Sequence, residues 1–133
     1  MITVGVLLLA LVTVESGGYF LTKVVRGHVP SNVLQNNFYR AGHAHAAVLL
    51  ILSIAILSTV DQTGLTGVWG FLARNAVPAA AILMPAGFFL SVLGKDPQKP
   101  NRFIWLLWIG AASLTVGLLV AGVGYIAAGI DAL

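Results

Sequence analysis

Four long apolar runs leave little room for anything but a membrane fold. They extend roughly from Ile2 to Leu21, Ala44 to Val60, Val68 to Leu93 and Phe103 to Ile130. As a helix, each is long enough to cross a hydrocarbon core of ~30 Å. Charged residues make up 8% of the chain and hydrophobic ones 59%, whereas soluble domains carry about 25% charge. So few charges cannot cover a water-soluble globule of this size, and the remaining apolar surface must face lipid. The expected architecture is all-α, an integral membrane four-transmembrane-helix bundle forming a single domain over residues 1–133.

The first run lacks a basic leader and a small-residue cleavage site, and Glu15-Ser16-Gly17-Gly18 interrupts its far half. It is expected to be a spanning helix rather than a removable signal peptide. Lys23 to Arg40, with Pro30, Ser31, Asn32, Asn36 and Asn37 as turn formers, reads as the longest polar connection and a candidate docking segment. Pro78 and Pro85 fall inside the third run, where each removes a backbone donor, so a kink or an irregular turn is expected there. Gly94 to Asn101 is a turn rich in glycine, proline and charge.

The basic residues fall in short segments between apolar runs, a pattern that sets membrane orientation and gives no sign of a nucleic-acid partner. Lys23, Arg26 and Arg40 flank the first connection, and Lys95, Lys99 and Arg102 flank the last. Only Arg74 lies near the middle connection. The positive-inside rule therefore places both outer connections in the cytoplasm and both chain ends outside. The absence of cysteine excludes disulfides, thiolate metal sites and a cysteine nucleophile.

Tyr39-Arg40-Ala41-Gly42-His43-Ala44-His45-Ala46-Ala47 is the most informative string, because it carries two histidines into the membrane at the start of the second run. Positions two apart on a helix point to nearly opposite sides at ~100° per residue. His43 and His45 are therefore expected to have separate roles rather than to chelate one ion. Interfacial imidazoles bonded to loop carbonyls are one reading; a metal or haem ligand is the other, since ionisable residues inside a membrane are functional candidates by default. Arg40, Arg26 or Lys23 at headgroup level could pair with haem propionates, while small Ala41, Gly42 and Ala44 would admit a flat macrocycle. Glu15 is either an acid near enough to the interface to meet Lys23 or water, or a proton carrier or partner for one of the histidines. Trp69, Trp105, Trp108, Tyr19, Tyr39 and Tyr125 suit interfacial belts. In the fourth run Gly110, Ser113, Gly117, Ala121, Gly124 and Ala128 form one small-residue stripe for close helix packing, within the bundle or between protomers.

Four short words, in order, resemble styrene oxide isomerase, a small four-helix membrane enzyme that contains haem b and assembles as a trimer. They are His28-Val29-Pro30, Arg40-Ala41 followed by a histidine, Gly87-Phe88-Phe89-Leu90 and Pro100-Asn101-Arg102. The resemblance implies a haem b ligand at the histidine after Arg-Ala, which points to His43 with one residue inserted; matching an Ala-His-small pattern favours His45. Tyr39, Arg40 and Arg26 are further candidate cofactor residues, and Phe88 and Phe89 read as packing residues that would also contact a nearby haem; the resemblance further implies a homotrimer with haem near a protomer boundary and a small hydrophobic substrate. The expected setting is a bacterial inner membrane. The polar groups with which that family orients an epoxide are a Tyr after Gly-Phe, an Asn one turn earlier and an Asn below the haem histidine. Here those positions hold Phe89, Pro85 and Leu49, so weak or absent isomerase activity is expected. Two further readings stand beside this one: a proton or ion conduit built on Glu15, His43 and His45, and an accessory subunit of a larger membrane complex.

Overall fold

A computed structural model describes all of residues 1–133. It contains α1 (Ile2–Val25), α2 (Val33–Thr59), α3 (Gly67–Leu90) and α4 (Ile104–Asp131), with one 3₁₀ turn, Val60–Thr63, between α2 and α3. All four helices are long and apolar enough to cross a membrane. The fold is the expected all-α transmembrane bundle, and successive helices run antiparallel.

The second helix begins at Val33, well before the apolar run starting at Ala44. The reason is a capping box: the Asn32 side chain accepts a hydrogen bond from the Gln35 amide at 2.8 Å, and the Gln35 side chain accepts one from the Asn32 amide at 3.1 Å. The polar stretch from Lys23 to Arg40 is thus mostly helix, and its only non-helical part lies between Val25 and Val33. Asn32 and Gln35 also bind the last connection. Asn32 Nδ2 donates to Asp96 Oδ1 at 2.8 Å and to the Pro97 carbonyl at 2.7 Å. Buried Gln35 Nε2 donates to the carbonyls of Val92 and Gly94, both at 3.1 Å.

Of the kink or irregular turn expected in the third run, no turn is present: α3 is one helix through both prolines. Each proline removes one internal hydrogen bond, and close packing along the whole length of the helix holds the segment together. That packing comes from the small-residue stripe of α4, which faces α3 within the chain. A β-carbon at Gly110 would lie 2.6 Å from Met84, and one at Gly117 would lie 2.8 Å from Val77. One at Gly87 of α3 would run into the Leu107 backbone. Ser113 Oγ donates to the Ala76 carbonyl at 2.8 Å, tying the same two helices.

The helices pack in chain order, α1 on α2, α2 on α3 and α3 on α4, with the α3–α4 contact the most extensive. One core cluster joins Leu7 of α1 to Leu49 and Leu50 of α2 and to Ala80, Ala81 and Met84 of α3. A second joins Ile56, Val60, Ala73, Val77 and Ala121 toward the other end. At that end Arg74 pairs with Asp61 at 2.7 Å and donates to the Gly70 carbonyl at 2.9 Å. α1 lies at the margin of the array, with Leu7 and Val24 its only fully buried residues.

Candidate functional site

Seven residues before the level of His43, α2 is still in its opening turns, so the histidine string lies inside an established helix. Both histidines are half-buried, and they address different neighbours. His43 lies against α1 at the glycine pair: β-carbons at Gly17 and Gly18 would approach its ring to 3.3 and 3.6 Å. The two glycines form a notch into which the imidazole fits. His45 lies toward α3, its ring centre 4.9 Å from that of Phe88. The two-residue spacing thus separates the side chains as helical geometry requires. No group of three or more His, Asp or Glu side chains is gathered to hold a metal ion.

His45 Nδ1 lies 2.7 Å from the Ala41 carbonyl. A carbonyl oxygen can only accept, so Nδ1 carries a proton, and in the corresponding neutral tautomer the lone pair is on Nε2. This orienting bond to a backbone carbonyl is the one usually found behind metal-ligating histidines. Ala41 and exposed Val48 lie about one turn to either side of His45 on α2.

An aromatic group fills the space between α1, α2 and α3 beside the histidines. Tyr39 stacks on Phe89, with ring centres 5.9 Å apart and planes at 25°, and meets the edge of Phe20 at 5.6 Å. Phe38 meets Phe88 edge-on at 5.6 Å. Tyr39 is therefore a packing residue between three helices and not a free interfacial ring. Gly42 is buried beneath the two phenylalanines; its β-carbon would stand 2.9 Å from the Phe89 ring and 3.0 Å from Phe88. The smallness of Gly42 is thus used by Phe88 and Phe89, and it offers no space for a macrocycle.

Of the residues expected at a cofactor site, the structure brings Tyr39 together with Phe89, and His45 together with Phe88. Arg40 and Arg26 border a different region, a pair of grooves at the end of α1. Five residues separate Arg40 from His45, or ~140° around α2 at 100° per residue. Glu15 is exposed on α1, and neither an ion pair nor a hydrogen bond joins it to either histidine. Of the belt residues, Trp69, Trp105, Trp108 and Tyr19 are exposed. Tyr125 instead meets Thr59 Oγ1 at 2.6 Å and donates to the Ile56 carbonyl at 3.2 Å. Phe89, Pro85 and Leu49 put no hydrogen-bonding side chain near the histidines; Leu49 and Pro85 are buried among other apolar groups.

The cavities of the chain measure about 160 to 290 Å³, and neither histidine lines any of them. Compared with protein-family models, curated proteins and solved structures, the chain matches none of them.

Proposed function

We propose that this chain is a haem b-binding membrane protein of the styrene oxide isomerase type, in which His45 would hold the iron. The observation that supports it is the 2.7 Å contact of His45 Nδ1 with the Ala41 carbonyl, which leaves the Nε2 lone pair for a metal. A haem needs only one or two side-chain ligands, so the absence of a three-ligand cluster is compatible with this reading. When bound, haem supplies an iron centre able to act as a Lewis acid or to exchange an electron. The chain's own part is to fix the imidazole tautomer and to place Phe88 against the ring.

No cavity within one chain encloses His45, so holding a haem would require a surface completed by another copy, and the proposed assembly is a homotrimer. His43 is the alternative ligand suggested by the Arg-Ala word, but its ring is already housed in the Gly17–Gly18 notch. The absorption spectrum of the purified protein is the direct test. Wild type should show a Soret band, His45→Ala should lose it, and His43→Ala should keep it. A colourless wild type would end the haem reading. Loss of the band in His43→Ala alone would transfer the ligand to His43.

Styrene oxide turnover is expected to be weak or absent even with haem bound. Phe89, Pro85 and Leu49 cannot donate a hydrogen bond to an epoxide oxygen. The proposed setting is a bacterial inner membrane, with the first and last connections in the cytoplasm.

A further inference from the structure

At the cationic end of the molecule two adjoining grooves meet around the last turn of α1. One lies between α1 and α2, measures about 250 Å³, and is lined by Leu21, Val24, Val25, Asn36 and Arg40. The other shares Leu21 and Val25 and is completed by Thr22 and Arg26. The groove walls are apolar along α1 and carry donors at the rim. No carboxylate borders either groove, and the chain's single salt bridge, Arg74 with Asp61, lies at the opposite end. Ser31 Oγ donates to Asn36 Oδ1 at 2.6 Å, which fixes the amide orientation and leaves Asn36 Nδ2 as a donor beside Arg40.

We propose that these grooves bind one anionic phospholipid, with its phosphate held by Arg40, Asn36 and Arg26 and an acyl chain lying along Leu21 and Val25. The chemistry is complementary at both ends of such a ligand. Two exposed guanidiniums without an acidic partner suit a phosphodiester, to which arginine donates in a fixed planar fork. The apolar strip below them runs from the headgroup level into the hydrocarbon, so a free phosphate would leave it uncovered. Arg40 lies ~140° around α2 from His45, so the lipid site does not depend on the haem proposal.

The test uses the full chain in bilayer discs containing equal phosphatidylglycerol and phosphatidylcholine, followed by native mass spectrometry. Wild type should retain one phosphatidylglycerol per chain in preference to phosphatidylcholine. Arg40→Gln and Arg26→Gln should each lower that preference about tenfold, the loss of one charge-assisted contact. Leu21→Trp, which fills the groove without altering charge, should also lower retention, whereas exposed Lys99→Gln should not. Circular dichroism verifies that each variant remains helical, and a Soret band unchanged in Arg40→Gln separates lipid loss from haem loss. Equal retention of both lipids by wild type, an undiminished preference in the arginine variants, or unchanged retention in Leu21→Trp would overturn the assignment. Displacement of the lipid by inorganic phosphate would overturn the commitment to a lipid.

Discussion

The two histidines differ in chemistry because their neighbours differ. Gly17 and Gly18 give the His43 ring its space, and the Ala41 carbonyl gives His45 its tautomer. Both consequences are open to mutation. Gly17→Leu should drive His43 out of its notch and loosen α1 from α2 without changing a His45-dependent spectrum; absorbance and protease sensitivity read the two effects separately. Gly42→Ala places a methyl group 2.9 Å from the Phe89 ring, an overpacking that should cost about 1–3 kcal/mol in stability, measured by thermal unfolding in mild detergent. Phe89→Tyr adds a hydroxyl to a ring packed on Tyr39 and Gly42, so phenylacetaldehyde formation from styrene oxide by haem-loaded protein should stay unchanged, and a rise would show that this position faces the substrate. Wild-type turnover equal to that of a true isomerase would contradict the roles given to Phe89, Pro85 and Leu49. The divergence of His43 and His45 around a helix was legible in the chain. The partners were not, because the meeting of Gly42 with Phe88 and Phe89 depends on the register between α2 and α3, which no local spacing encodes.

Among the helices, ends were harder to foresee than middles. Apolar runs mark the parts that meet lipid, whereas α2 begins where Asn32 and Gln35 satisfy its first amides, outside its apolar run. The pattern Asn-x-x-Gln after Pro30 was present as a signal, but the surrounding asparagines also look like turn formers. Asn32→Ala removes the cap and the bonds to Asp96 and Pro97 together. It should destabilise the protein by about 1–2 kcal/mol, with hydrogen exchange rising first in the opening turn of α2 and in the Gly94–Asn101 turn. The prolines of α3 work in the opposite direction: their local effect favours a break, but the α4 stripe that packs on α3 lies far away in sequence. Gly87→Ala would push a methyl group into the Leu107 backbone, which cannot yield as a flexible side chain would. It should therefore be more damaging than Gly42→Ala in the same unfolding assay, and a neutral outcome would show that α3 and α4 can separate at little cost.

For the whole molecule, the alternating direction of the helices gathers six of seven basic residues at one end, while Arg74 at the other end is paired with Asp61. Reporter fusions at both chain ends should therefore score as outside, and cytoplasmic activity from both would reject the charge argument. The peripheral position of α1 also bears on how the chain enters the membrane. Helices leave the ribosome in order, so α1 reaches the bilayer before its main partner, α2, exists. It arrives with Glu15 midway along the helix and with an empty notch at Gly17–Gly18. The later helices are packed on one another far more fully, so the least self-sufficient of the four spans is made before the other three.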